Sequence, residues 1–211
     1  MAGPLDGIRV IELTSTVSGP MAGLILADQG AEVVKIEPPL LGDMARYMGS
    51  MRAGMGAMFA TLNRNKRSLV LDLKEEADRE IFLRLIPETD VLIENYRPGV
   101  ADRLGIGYEA LHKLAPELIY VSITGYGAEG PYMQRRVYDP LIQATAGASA
   151  EQSAKYPANV RTVIFDKVTA YTAAQSITAA LFQRERGGGG QYLPISMLGS
   201  ALYYQLSLIH I

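Results

Sequence analysis

The sequence predicts an α/β fold: a mostly parallel sheet with helices on both faces. Short apolar runs alternate with helix-patterned segments from the start of the chain, the order that winds helices around a parallel sheet. The first helical segment is bracketed by Pro20 and Gly30, residues suited to a first helical turn and to the stop after a last one. The 211 residues are 48% hydrophobic and 20% charged, ordinary globular composition with chain enough for a sizeable core.

Ile8–Leu13 reads as a buried strand, Pro20–Gln29 as a helix and Glu32–Glu37 as the next strand. Ser68–Leu73 is strand-like. Lys74–Ile86 places Ala77, Ile81 and Leu85 near one helical face. Val91–Ile93 is a short buried strand, Tyr108–Leu114 a short helix and Leu118–Ile123 another apolar strand. Val137–Ala150 and Lys167–Arg186 read as helices, Gly187–Gly190 as a turn and Gln191–Ser196 as a strand. Pro38–Arg67, rich in Gly and Met, follows neither pattern and reads as an excursion that covers a ligand. Ligands in such sheets sit beyond the carboxyl ends of the strands, so the loops after Leu13, Glu37, Ile93 and Ile123 are the places to search.

A net charge of −2 gives no global field for nucleic acid or an anionic membrane. No cysteine is present, which excludes a disulfide scaffold, a thiolate nucleophile and cysteine-based zinc sites. The apolar runs are too short or interrupted to span a bilayer. The start, Met1–Asp6, lacks a basic region followed by an apolar one, so no signal peptide and a cytoplasmic location are expected. The last six residues, Leu206–Ile211, resemble translated read-through of a sequencing-library adapter. The expected division is therefore native chain over 1–205 and a non-native tail over 206–211, with His210 discounted.

Without cysteine, and with His112 on a polar helical face, a carboxylate leads the candidates for covalent chemistry. Asp166 stands at a strand-like to helix-like junction, Val163–Ala170. Asp before a helix is also a favoured N-cap. The two roles are compatible: a helix N-terminus lowers a carboxylate's pKa and holds it ionised, and an ionised, partly desolvated Asp can attack an activated acyl group. The first strand–helix turn, Thr14–Pro20, offers free N–H groups to an anion, or plain capping by Ser18 or Gly19. It lacks G-x-G-x-x-G, which disfavours a nicotinamide site. Asn63–Arg67, Asn95–Gly99 with Arg103, and Arg135-Arg136 are basic clusters that solvate a surface or together hold a phosphorylated ligand. Thr124–Tyr132, with Gly125 and Tyr126, follows a buried strand and permits close backbone approach. Tyr138-Asp139 follows it, lining a pocket or packing as a core aromatic. No H-E-x-x-H or G-x-S-x-G is present.

Taken together these segments resemble the class III CoA-transferase family (formyl-CoA and carnitine CoA-transferases), which also includes α-methylacyl-CoA racemases. The resemblance runs from about Pro4 to Ala201. It is carried by Pro4–Val10, Gly19-Pro20, Gly30–Glu37, Gly42-Asp43, Asn65–Ser68, Glu94–Gly99, Asp102–Gly105, Gly125–Gly127 and Gly130-Pro131. It implies a Rossmann-like large domain, here incomplete, a smaller domain, and two interlocked subunits in a full-length homodimer. It implies Asp166 as the nucleophile that carries a covalent aspartyl intermediate. CoA-contacting positions fall on Val17, Ser18, Leu71, Lys74, Asn95, Arg97, Arg103 and Arg136, and pocket positions on Gly125, Tyr126 and Tyr138. Coenzyme A and acyl-CoA enter as substrates, with a carboxylic acid as acceptor and no metal or permanent cofactor. Pro38 stands where some transferases place a CoA-binding Arg. Racemases carry a His where this chain has Tyr138. Racemase chemistry and non-catalytic CoA binding are the alternatives.

Overall fold

The computed structural model describes residues 3–153 and 155–206. β1 (Arg9–Leu13) leads into α1 (Ser18–Asp28) and β2 (Glu32–Glu37). The excursion that follows holds a 3-10 turn at Met44–Tyr47, the hairpin β3 (Met51–Arg52) and β4 (Met55–Gly56), and α2 (Ala57–Leu62). Next come β5 (Lys66–Val70), α3 (Glu76–Leu85), β6 (Val91–Glu94), α4 (Val100–Arg103) and α5 (Tyr108–Leu114). Then follow β7 (Ile119–Thr124), α6 (Asp139–Thr145), α7 (Ala148–Gln152), α8 (Phe165–Gln183), β8 (Gln191–Ser196) and α9 (Met197–Tyr204).

Six strands form one sheet in the order β5-β2-β1-β6-β7-β8, and every pairing in it is parallel. The expected α/β class therefore stands. The chain winds outward from β1 in both directions, so the order reverses between β1 and β6. In doubly wound sheets this reversal opens the ligand crevice. Strands buried on both faces read as near-continuous apolar runs. Val10, Val33, Ile93 and Val121 face α1 and α8, where Leu26, Ala173 and Ile177 meet them. Ile11, Ile36, Leu92 and Tyr120 face the other way, toward Phe82, Ile86 and Leu111.

Four buried charges interrupt this apolar pattern. Lys35 Nζ lies 2.7 Å from Glu12 Oε1 and 2.9 Å from Asp43 Oδ2, and also donates to Thr14 O at 2.7 Å. Lys66 Nζ lies 2.7 Å from Glu12 Oε2 and donates to Pro20 O and Asn63 Oδ1. Their side chains are at most 2% exposed. Burial alone would lower the pKa of Lys35, but Glu12 and Asp43 outweigh it and leave it raised. Gly23 admits Glu12 beneath α1, because a Cβ there would stand 2.1 Å from its Oε2.

Several boundaries differ from the sequence reading. The strand expected at Ser68–Leu73 is Lys66–Val70, pairing with β2 up to Glu37↔Val70. Leu71 and Leu73 leave the sheet and pack into the core with Phe82. The helix expected at Val137–Ala150 breaks into α6 and α7, because Gly147 takes φ 89°. Val163–Phe165 is not a strand; Gln143 takes the place of a sheet partner for the segment before it, at Val160 N and Thr162 O. The non-native tail reading lies outside the described residues from 207 onward.

Lys35→Met leaves Glu12 and Asp43 short of their shared cation. Breaking a buried pair costs on the order of 3–5 kcal/mol, expected as a lower urea midpoint with an unchanged slope. A loss below about 1 kcal/mol, the range of an exposed pair, would contradict the network's role.

Candidate active site

Two cavities open at the reversal between β1 and β6. The larger, about 320 Å³, is lined by Leu71, Lys74, Pro38, Asp43 and Val100. The smaller, about 140 Å³, is lined by Val17, Ser18, Arg97, Gly125, Arg135, Tyr138 and Asp166. Ser15, Asn95 and Tyr96 line both, so the two adjoin at the loops that follow β1 and β6.

Asn95 joins those loops. Its Oδ1 accepts from Ser15 N at 3.0 Å and its Nδ2 donates to Ser15 O at 2.9 Å. The next residue, Thr16, has φ 74°, a costly conformation for a β-branched side chain. Its N–H donates to Asp43 Oδ1 at 2.9 Å, so the buried charge network holds the strained residue in place. Asp43 Oδ2 has only its ion pair with Lys35 among the described residues. The turn then runs straight into α1, whose N-cap position is Val17 with no side-chain cap. Neither Ser18 nor Gly19 caps the helix.

The anion that Ser18 meets is Asp166. The Ser18 hydroxyl and N–H both act on this carboxylate. Asp166 lies in the first turn of α8, with Ile164 at the N-cap position, so it is not the cap that its place in the sequence suggests. That role belongs to Asp139: its Oδ2 accepts from Phe165 N at 2.6 Å and from Asp166 N at 3.0 Å. The expected depression of the Asp166 pKa is also reversed. Burial and the neighbouring Asp139 charge push it up from 3.8 to about 6, against the opposing hydrogen bonds from Ser18. It thus ionises within the range where enzymes tune acids and bases.

The remaining candidates divide. Leu71 and Lys74 lie in the larger cavity, while Val17, Ser18, Arg97, Gly125 and Tyr138 surround the smaller. Arg103 and Arg136 are exposed and line neither cavity; at the second position Arg135 does so instead. Tyr126 packs with Phe165 and Met197 in a small core and meets Tyr132 edge-on. Glu37, at the end of β2, is committed to Arg46 and Ser68. Burial pushes its pKa up, but hydrogen bonds from Arg46, Ser68 and Asp43 N bring it down to about 2. The Asn63–Arg67 cluster serves the fold. Lys66 joins the buried network, Arg64 and Asn65 reach Asp28, and Arg67 pairs with Glu32.

A doubly wound α/β protein, with its crevice at the switch point and a carboxylate at the crevice end, is the class that fold and site define. The sequence pattern of CoA-transferase family III matches residues 5–210, and the chain belongs to that family. It is 41% identical over 205 residues to an acetyl-CoA:oxalate CoA-transferase of Acetobacter aceti, covering 96% of this chain and 53% of that one. It is 37% identical over 209 residues to a succinyl-CoA–D-citramalate CoA-transferase of Chloroflexus aurantiacus, covering 98% of this chain and 52% of the other. A crystal structure of a CAIB/BAIF family protein from Brucella suis superposes with a TM-score of 0.94 at 35% identity, over 100% of this chain and 57% of that one. The chain spans about half the length of the curated relatives it matches.

Ser18→Ala removes a hydroxyl that shares the cavity with Asp166 and favours its ionised form. The Asp166 carboxyl, followed by carbon-13 NMR, is expected to titrate near pH 6 and to move upward in the variant. An unmoved midpoint would contradict the contact.

Proposed function

We propose that the complete protein moves CoA from an acyl-CoA donor to a carboxylic acid acceptor, with Asp166 as nucleophile. The observation that carries this reading is the half-buried Asp166 carboxylate, which faces a cavity adjoining a larger one at the switch point. CoA would lie along both, its nucleotide end toward Leu71 and Lys74 and its thioester toward Asp166. Arg97 and Arg135, at the smaller cavity, would face the anionic groups of donor and acceptor. Arg103 and Arg136, exposed outside both cavities, would meet CoA beyond the described surface. The names of the relatives support the reaction class.

In this reading the Asp166 carboxylate attacks the thioester carbonyl, the C–S bond breaks, and CoA leaves as thiolate from a mixed anhydride. The thiolate then attacks the Asp166 carbonyl and releases the donor carboxylate, leaving an aspartyl-CoA thioester. The acceptor carboxylate attacks that thioester and again expels CoA thiolate. Thiolate attack on the acceptor carbonyl finally forms the new acyl-CoA and frees Asp166. Each step exchanges one leaving group for one nucleophile, the advantage of covalent catalysis. The Ser18 N–H at the start of α1, in the same cavity, would meet the oxyanion formed on the Asp166 carbonyl. The nucleophile must be ionised, so turnover is expected to fall as pH drops through about 6.

A racemase needs an acid and a base across the α-carbon. No His lines the smaller cavity among the described residues, and Tyr138 stands 67% exposed at its rim. The reading extends to a homodimeric, cytoplasmic enzyme without a resident cofactor. Among the described residues, no helix is long and apolar enough to cross a membrane.

The test is hydroxylamine trapping with acyl-CoA donors, on protein extended to the length of its relatives. A hydroxamate on Asp166, absent from Asp166→Ala, is expected. CoA binding without any adduct, whatever the donor, would overturn the reading.

A further inference from the structure

Asp139 is 1% exposed, yet its carboxylate is spent on backbone. Oδ2 takes the N–H groups of Phe165 and of Asp166 itself. Oδ1 accepts from Gln143 Nε2 at 2.5 Å. Gln143, also 1% exposed, grips the approach to α8: its Nε2 donates to Thr162 O at 3.2 Å and its Oε1 accepts from Val160 N at 2.8 Å. A Ser or Asn at 164 could cap α8 locally. Instead Ile164 stands there uncapped, and a charge from a separate helix performs the task. Tyr138, the residue before Asp139, lines the Asp166 cavity, so the start of α6 supplies both the wall of the site and the anchor beneath it.

We propose that Asp139, oriented by Gln143, is a positioning residue for the reaction: it fixes the first turn of α8 and holds a negative charge behind the Asp166 carboxylate. This rests on the reading of Asp166 as nucleophile. Attack needs one carboxylate oxygen on line with the thioester carbonyl, and small misplacements of reacting groups are costly. The groups facing Asp166 are Asp139 from α6, Ser18 from α1, and Arg97, Arg135 and Tyr138 around the cavity. Asp139 is the anion among them.

The test compares Asp139→Asn and Gln143→Met with the unsubstituted protein, each extended to the length of its relatives, by rate of hydroxamate formation and by pH profile. In Asp139→Asn the amide cannot keep its oxygen on the α8 N–H groups without turning its NH₂ toward Gln143 Nε2, itself a donor. We expect kcat to fall about 10- to 100-fold, with KM for acyl-CoA little changed. The acid limb of kcat/KM should move below its starting position near pH 6, because an anion that opposes Asp166 ionisation is gone. A merely structural role would lower the rate without moving that limb downward. Gln143→Met keeps the charge but frees it, and is expected to lower kcat with the limb in place. It carries the test if Asp139→Asn does not fold. A normal kcat in either folded variant, or an unmoved limb in folded Asp139→Asn, overturns this proposal alone. No adduct in the unsubstituted protein overturns the nucleophile reading and this one with it.

Discussion

Glu12 stands on the first strand in a position that water does not reach, and two lysines from other strands close on its two oxygens. Lys35 also holds Asp43, and Asp43 holds Thr16 in a left-handed turn. The cluster is balanced, two cations against two carboxylates, with the remaining lysine donors taken by carbonyls and Asn63. Such a set yields little net stability over an apolar core, but losing any one member is expensive. Its consequence here is geometric. It ties β1, β2, β5 and the excursion to a single arrangement of the loop after β1.

That arrangement brings two helix starts together. α1 begins at Ser18, two residues after the strained Thr16, and Ser18 lines the same cavity as Asp166. α8 begins at Phe165, held by Asp139 from α6. A carboxylate between two helix N-termini would ordinarily ionise readily. Burial and Asp139 work against this and lift Asp166 to about 6. At about 6 the carboxyl still ionises at neutral pH while remaining poorly solvated, which suits the attack proposed for it.

The layering is legible in sequence because the inner parallel strands leave compact apolar runs; the strands Glu32–Glu37 and Gln191–Ser196 and the helix Tyr108–Leu114 have the bounds that the sequence predicts. Asp166 enters as a candidate by elimination and by its place at a helix start. The charge cluster is absent from the sequence reading, although its signal is present: Glu12 sits inside the run read as a buried strand and Lys35 inside the run read as the next one. Opposite charges in two such runs have only each other for partners. Local spacing offers Asp166 as a cap beside its chemical role, whereas the cap comes from 26 residues earlier in the chain, a tertiary contact no local pattern carries. The excursion between Pro38 and Arg67 resisted reading because its short elements are set by Glu37, Arg46 and Asp43 rather than by periodicity.

On the proposed function, the cavities on either side of Asn95 form one site for a CoA thioester ending at Asp166. The most direct test is a crystal structure of Asp166→Ala, extended to the length of its relatives, with an acyl-CoA bound. The thioester carbonyl is expected beside position 166 and the N-terminus of α1, with the nucleotide end along Leu71 and Lys74. A thioester lying outside the Ser18–Tyr138 cavity, with the nucleotide elsewhere on the sheet, would contradict it.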